Sequence, residues 1–278
     1  MDKKIAIIGC GTIGTELAKN IDNNNIPNCS LSSIFDIDQN KLKNIYEKLQ
    51  NKPIIFNNFK EFIESAEFDQ IDLIIEAASV NAASKYIKGI LQKGKDMMIM
   101  SIGVFSDHEI FEDIQNIIDS KYNNVFLPSG AIGGIDIIRS IKKHIESITL
   151  TTTKNNNSLK GAPFFSNYNI NVDEINERQV IFDGSADEAI VQFPSNVNVA
   201  ALISLAGIGF KKTKVKIIVD PKESTNTHEI NVKWKFGEFS IKIINKPSTD
   251  NPKTSYLAIL SAVECLRSIC THNLKIGS

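Results

Sequence analysis

The chain has 278 residues, with 31 Lys and Arg against 32 Asp and Glu and a formal net charge of −1. That length suffices for about two domains of roughly 100–200 residues each, and the balanced charge excludes a nucleic-acid partner held by an overall positive field. The longest apolar runs, such as Asp72 to Ser79, fall far short of the ~20 residues of a membrane helix. The N-terminus also enters a strand pattern with no signal-peptide core, so a cytoplasmic protein without a membrane partner is expected.

Short apolar runs then alternate with amphipathic stretches. Lys4 to Ile8 reads as a buried strand and Ile13 to Ile21 as a helix. Leu31 to Phe35, Ile54 to Phe56, Ile71 to Glu76, Met97 to Ser101 and Asn124 to Leu127 read as further strands. Helices are predicted over Asn40 to Leu49, Phe59 to Ser65, Asn81 to Lys93 and Asp107 to Ser120. Such alternation gives a parallel sheet with a crossover helix between successive strands.

The second half changes character. Gly130 to Asp136 is a glycine-rich lead into a helix over Ile135 to His144. Segments rich in Val, Ile, Thr and Phe follow as strands: Ser147 to Thr153, Gln179 to Gly184, Val215 to Asp220, His228 to Phe236 and Glu238 to Ile244. Lys235 to Glu238 reads as a hairpin turn between the last two. Helices fit Ala186 to Phe193 and Val197 to Leu205. Asn251-Pro252 reads as an N-cap with Pro at the first helical position, opening a helix over Lys253 to Ile269. The fold expected is α/β: a Rossmann-type parallel-sheet domain over residues 1–130 and a second α/β domain with a mixed, largely antiparallel sheet over 131–250. The C-terminal segment, 251–278, is expected to pack its apolar stripe back on the first domain. Cys10, Cys29, Cys265 and Cys270 show no CxxC spacing and read as reduced thiols, and no metal site is expected.

Gly9-Cys10-Gly11-Thr12-Ile13-Gly14 matches GxGxxG between a strand and a helix. Gly9 allows the tight turn, Gly11 the approach of a pyrophosphate, and Gly14 close helix–strand packing. The free N–H groups at Thr12 and Ile13 and the helix dipole favour phosphate. Asp36 ends the second strand, 22 residues beyond Gly14, close to the place of a carboxylate that binds the adenosine ribose. No basic residue follows Asp36 until Lys41, and a 2′-phosphate would meet Asp36 and Asp38, so NAD is expected over NADP. Ala77-Ala78-Ser79 and Ser101-Ile102-Gly103 place small residues at the carboxyl ends of two strands, where a nucleotide lies against the backbone. Ala77, Ala78 and Ser101 therefore join the cofactor candidates.

Oxidation by a nicotinamide needs a group that takes a proton, and histidine suits neutral pH. His108 and His144 read as solvated and His272 lies in the tail, while His228 stands where a loop enters a strand. A structural and a catalytic role for His228 both stay open on this pattern.

Several blocks resemble the L-aspartate dehydrogenase family over essentially the whole chain: GCGTIG, GAIGGIDII from Gly130, FPSNVNVAALISLAGIGF from Phe193, VDP followed by NTHEI from Asn226, and NPKTSYLAILSAVECL from Asn251. The resemblance implies NAD(P)-dependent oxidative deamination of L-aspartate to iminoaspartate, feeding NAD biosynthesis, in a homodimer whose first domain binds NAD and whose second binds substrate and pairs subunits. It places His228 on the family's catalytic histidine and Ala131 and Asn198 on its NAD contacts. Gly133, Asn196 and Asn226 are assigned to the substrate, with Lys160 and Arg139 as candidates for its carboxylates. Where the family commonly carries Thr-Thr-Arg-Lys, this chain reads Thr152-Thr153-Lys154, without the arginine. The glycine loop alone also fits a homoserine-dehydrogenase-like or dihydrodipicolinate-reductase-like enzyme, or a non-catalytic NAD sensor. The SNVNVA and NTHEI blocks favour aspartate, and Asp36, Asn198 and His228 together speak against a sensor.

Overall fold

The computed structural model describes residues 2–194, 198–246 and 255–272. They divide into a first unit, residues 2–128 with 259–272, and a second between 129 and 258.

In the first unit β1 (Lys3–Ile8), α1 (Thr12–Asp22), β2 (Cys29–Phe35), α2 (Gln39–Lys48) and β3 (Ile54–Phe56) lead to a broken helix, α3 (Phe59–Glu64) and α4 (Ala66–Gln70). β4 (Leu73–Glu76), α5 (Val80–Gln92), β5 (Asp96–Ile99), α6 (His108–Lys121) and β6 (Val125–Phe126) complete a six-stranded sheet of order β3-β2-β1-β4-β5-β6, every pair parallel. Ile5, Ala6, Ile7 and Ile8 of β1 are all buried, as expected of a central strand covered on both faces. The helix predicted over Phe59 to Ser65 is followed at once by α4. Ser65 takes an extended backbone and its hydroxyl accepts from the Phe68 N–H, capping a new helix. A 3₁₀ turn over Ile102–Ser106, absent from the sequence reading, precedes α6.

The second unit holds α7 (Ile135–Ile141), β7 (Ile145–Lys154), the short helices α8 (Asn156–Leu159) and α9 (Pro163–Asn167), β8 (Gln179–Ser185), α10 (Ala186–Gln192) and α11 (Asn198–Ala206). β9 (Lys214–Val219), β10 (Asn226–Trp234) and β11 (Gly237–Asn245) complete it. The sheet order is β11-β10-β7-β9-β8, with β7–β9 parallel and the other pairs antiparallel. Trp234 pairs with Gly237, so the hairpin turns on Lys235 and Phe236, tighter than the predicted Lys235 to Glu238. α7 stops at Ile141 in a 3₁₀ turn rather than reaching His144 as an α-helix. α8 and α9 were not legible as helices: each is about one turn long, and Gly161 lies between them with a positive φ.

The last helix, α12 (Tyr256–Cys270), places Ala262, Val263, Leu266 and Cys270 in the buried cluster formed by Ile5, Ile7, Leu17, Ile34 and Leu73 of the first unit. The expected cap at Asn251-Pro252 lies outside the described residues. Leu266 is fully buried, and a Leu→Ala change at such a site costs about 2–5 kcal/mol. Leu266→Ala should therefore lower the unfolding free energy by that amount in urea titration.

Candidate functional site

The glycine loop of the first unit is shaped by two contacts. Gly9 has φ +98°, and a Cβ there would sit 2.7 Å from the Ala77 backbone, while one on Gly14 would fall 1.9 Å from the Gly9 carbonyl oxygen. Side chains are excluded at both places by the protein itself. At Gly11 an added Cβ meets no other part of the protein within 4 Å, so the space beside this glycine is open and a phosphate can approach its backbone. Gly11 caps α1 without a side-chain bond, leaving the amides of Thr12 and Ile13 facing that room with the positive end of the helix dipole.

Asp36 closes the other side. Its carboxylate accepts from the Cys10 N–H at 2.7 Å and the Asp38 N–H at 2.9 Å, tying the loop after β2 to the glycine loop. A cavity of about 320 Å³ lies between Gly9, Gly11, Asp36, Ile37, Ala77 and Ala78. These residues fit a dinucleotide: amides for the pyrophosphate, a carboxylate for ribose hydroxyls, and exposed Ile37 for an adenine face. Lys41 also lines the cavity, with its ammonium 4.0 Å from the Asp38 carboxylate.

Glu76 holds this end of the sheet in shape, and the sequence reading did not single it out. It is fully buried at the end of β4 and accepts from the Ala78 N–H at 2.9 Å, the Ser101 N–H at 3.0 Å and the Ser101 hydroxyl at 2.8 Å. Burial pushes its pKa up, against the opposing pull of these donors. Ser101, expected at the cofactor, is buried with its hydroxyl committed to Glu76.

In the second unit, three neighbouring strands change chemistry at one end of one face. Alternate residues run Ile148, Leu150, Thr152, Lys154 on β7; Val232, Ile230, His228, Asn226 on β10; and Ile241, Ile243, Asn245 on β11. The register sets His228 opposite Thr152 and Ile243, and Asn226 opposite Asn245. Side chains directly opposite across an antiparallel pair share a face, so Thr152, Lys154, Asn226, His228 and Asn245 form one patch, all buried. The glycine-rich turn lies on the same face. A Cβ on Gly134 would strike Ile241 at 2.2 Å, Gly133 faces Ile243, and the Ala131 carbonyl accepts from the Asn245 amide at 3.2 Å.

His228 is thus an interior strand residue, 4% exposed, rather than one at a loop edge. Its Nδ1 lies 3.0 Å from the Thr152 hydroxyl oxygen. The tautomer in which Nδ1–H donates to Thr152 leaves the Nε2 lone pair free to take a proton. Burial, and secondly the charge of Lys154, push the imidazole pKa down to about 3, so it is neutral at pH 7.

Comparison with known proteins decides the family. Residues 136–269 match the family described as "Aspartate dehydrogenase, C-terminal", and residues 9–128 match "Homoserine dehydrogenase, NAD binding domain". An L-aspartate dehydrogenase of Nitrosopumilus maritimus is 44% identical over 276 residues, covering 99% of this chain and all of that protein. The chain belongs to the L-aspartate dehydrogenase family. A relative of the same name from Methanocella arvoryzae is 42% identical over 277 residues, covering 99% of each chain. The crystal structure of aspartate dehydrogenase from Thermotoga maritima superposes with a TM-score of 0.74 at 25% identity, covering 99% of this chain and all of that one. A scyllo-inositol dehydrogenase from Lactobacillus casei, at 15% identity and TM-score 0.57, shares the fold.

Within this aspartate dehydrogenase family chain the sequence candidates fall into two groups. Gly9, Gly11, Thr12, Ile13, Gly14, Asp36, Ala77, Ala78 and Ser101 cluster at the carboxyl end of the parallel sheet, and Ala131, Gly133, Asn226 and His228 meet on the mixed sheet. Asn198 is the exposed first residue of α11, and Asn196 lies outside the described residues. The proposed carboxylate partners are displaced: Arg139 is exposed and Lys160 pairs at the surface with Asp173 at 2.7 Å. Thr152, Lys154 and Asn245 are the patch members that the sequence reading did not assign.

Glu76→Leu leaves the buried Ser101 amide and hydroxyl, and the Ala78 amide at the surface, without their acceptor. At roughly 1–3 kcal/mol for each of the two buried donors, thermal unfolding should register a loss of about 2–6 kcal/mol. NAD affinity should fall with it, because both loops then relax.

Proposed function

We propose that this protein oxidatively deaminates L-aspartate with NAD, giving iminoaspartate and, after hydrolysis, oxaloacetate and ammonia. The supporting observation is a neutral, buried imidazole on the polar end of the mixed sheet in a chain of this family. Residues 1–130 hold the cofactor and 131–250 the substrate and the partner subunit of a homodimer, with 251–278 completing the first domain. The enzyme works in the cytoplasm and supplies pyridine nucleotide biosynthesis.

NAD, when bound, supplies two-electron oxidation at the substrate Cα. Gly9, Gly11 and the amides of Thr12 and Ile13 would hold its pyrophosphate, Asp36 its ribose hydroxyls, and Ala77 and Ala78 would line its site. Asp36 and Asp38 repel a 2′-phosphate, so NAD is used in preference to NADP. Ala131 and Asn198 serve as further cofactor contacts, and Gly133, Asn196 and Asn226 as substrate contacts. His228 Nε2 takes a proton from the α-ammonium as the Cα–H bond breaks, and the protonated ring is held by Thr152 through Nδ1. Once that proton has passed to solvent, the same nitrogen, again neutral, accepts a proton from the water that attacks the imine.

Adding L-aspartate and NAD should generate NADH absorbance, with D-aspartate, L-glutamate and L-homoserine as controls. NAD binding without aspartate-dependent NADH would refute the reading. His228→Ala should lower kcat by at least about 10²-fold, the lower bound for a placed proton-transfer group, with the NAD dissociation constant unchanged. Because the free imidazole titrates at about 3, kcat/KM should show no acidic limb at the ordinary histidine value of ~6.5. Loss of activity centred there would contradict a neutral His228.

A further inference from the structure

The mechanism above uses His228 and Thr152 and leaves one buried charged group of the same patch without a task. Lys154 ends β7, two residues beyond Thr152 on the same face, and is 4% exposed. It pairs with Val219 on β9, and Asn226 and Asn245, one residue beyond the Thr153–Thr227 pair, lie where β10 begins and β11 ends, so Lys154 stands at the end of the sheet and not in its middle. Thr152, Asn226, His228 and Asn245 are neutral hydrogen-bonding groups. Together with Lys154 they make a buried patch of one positive charge among neutral donors and acceptors.

We propose that Lys154 receives a carboxylate of the substrate beside His228, a substrate-binding role that deepens, and rests on, the aspartate reading. The surface cations Arg139 and Lys160 cannot serve as well, because solvent screens them. A carboxylate on a buried ammonium makes a charge-assisted hydrogen bond of the stronger kind. Burial has lowered the Lys154 pKa to about 8, which leaves most of it protonated at pH 7. The arrangement also adjusts the base. Burial chiefly, and the Lys154 charge in second place, hold the His228 pKa down in the free protein, and an arriving carboxylate offsets the Lys154 part. The imidazole then gains proton affinity when the ammonium it must deprotonate is in place.

The test uses the full-length protein and succinate, a dicarboxylate that cannot be oxidised by this route, measured by calorimetry. Wild type should bind succinate, and Lys154→Met should weaken it about 10–100-fold, the worth of a hydrogen bond to a charged group. NAD affinity and the near-ultraviolet signal of Trp234, which lies on β10, should stay as in wild type. Uncharged succinamide should not distinguish the two proteins. Unchanged succinate affinity in folded Lys154→Met, or no succinate binding by wild type, overturns the proposal. Should that variant fail to fold, wild type alone still decides. Between pH 7 and 10 succinate stays fully ionised and His228 stays neutral, so affinity must fall as pH rises through about 8. A flat profile overturns the assignment. Succinate binding that depends on Lys154, in a protein that makes no NADH from L-aspartate, refutes the catalytic reading and supports the carboxylate site.

Discussion

A polar side chain taken out of water destabilises a fold unless its donors and acceptors find partners. β7, β10 and β11 accept that cost side by side, carrying Thr152, Lys154, Asn226, His228 and Asn245 on one buried face. Leu or Ile at these places would continue the aliphatic rows of Ile148, Ile230 and Ile241 and stabilise the sheet. Proteins hold strain and polarity of this kind chiefly at functional sites. The register between β7 and β10 then matters more than any single residue, since a slip of one residue would turn His228 to the opposite face.

The cofactor end follows a different logic, in which backbone does most of the recognition. Gly9 and Gly14 are glycines because the protein occupies the space of their side chains, whereas the space beside Gly11 is open. Asp36 and Glu76 are both carboxylates that accept backbone N–H groups from neighbouring loops. Asp36 remains partly exposed and faces the cavity, while Glu76 is enclosed and works by fixing where two strands let go of the chain.

Much of this was legible in the residues. Runs such as Lys4 to Ile8 with amphipathic stretches between them give the parallel sheet, and the glycine loop with Asp36 gives the nucleotide end. What stayed hidden depends on pairing across long separations. Lys154 was left outside the predicted strand ending at Thr153, so its place on the inward face could not be read. Its partners on β10 lie more than 70 residues further on, and no local pattern announces which strand they join. Glu76 was placed correctly at a strand end, but a carboxylate there reads as solvated until Ser101 is seen to donate to it. His228 stood out through the family's NTHEI block, whereas its burial came from the sheet.

One consequence concerns synthesis on the ribosome. The cluster around Ile5, Ile7 and Leu17 counts Ala262, Leu266 and Cys270 among its members, so the amino-terminal half emerges with a groove it cannot yet fill. A chain released or cleaved after residue 128 would expose that groove to chaperones and to other nascent chains. The dinucleotide fold here closes last, with the arrival of a helix translated after the whole of the second unit.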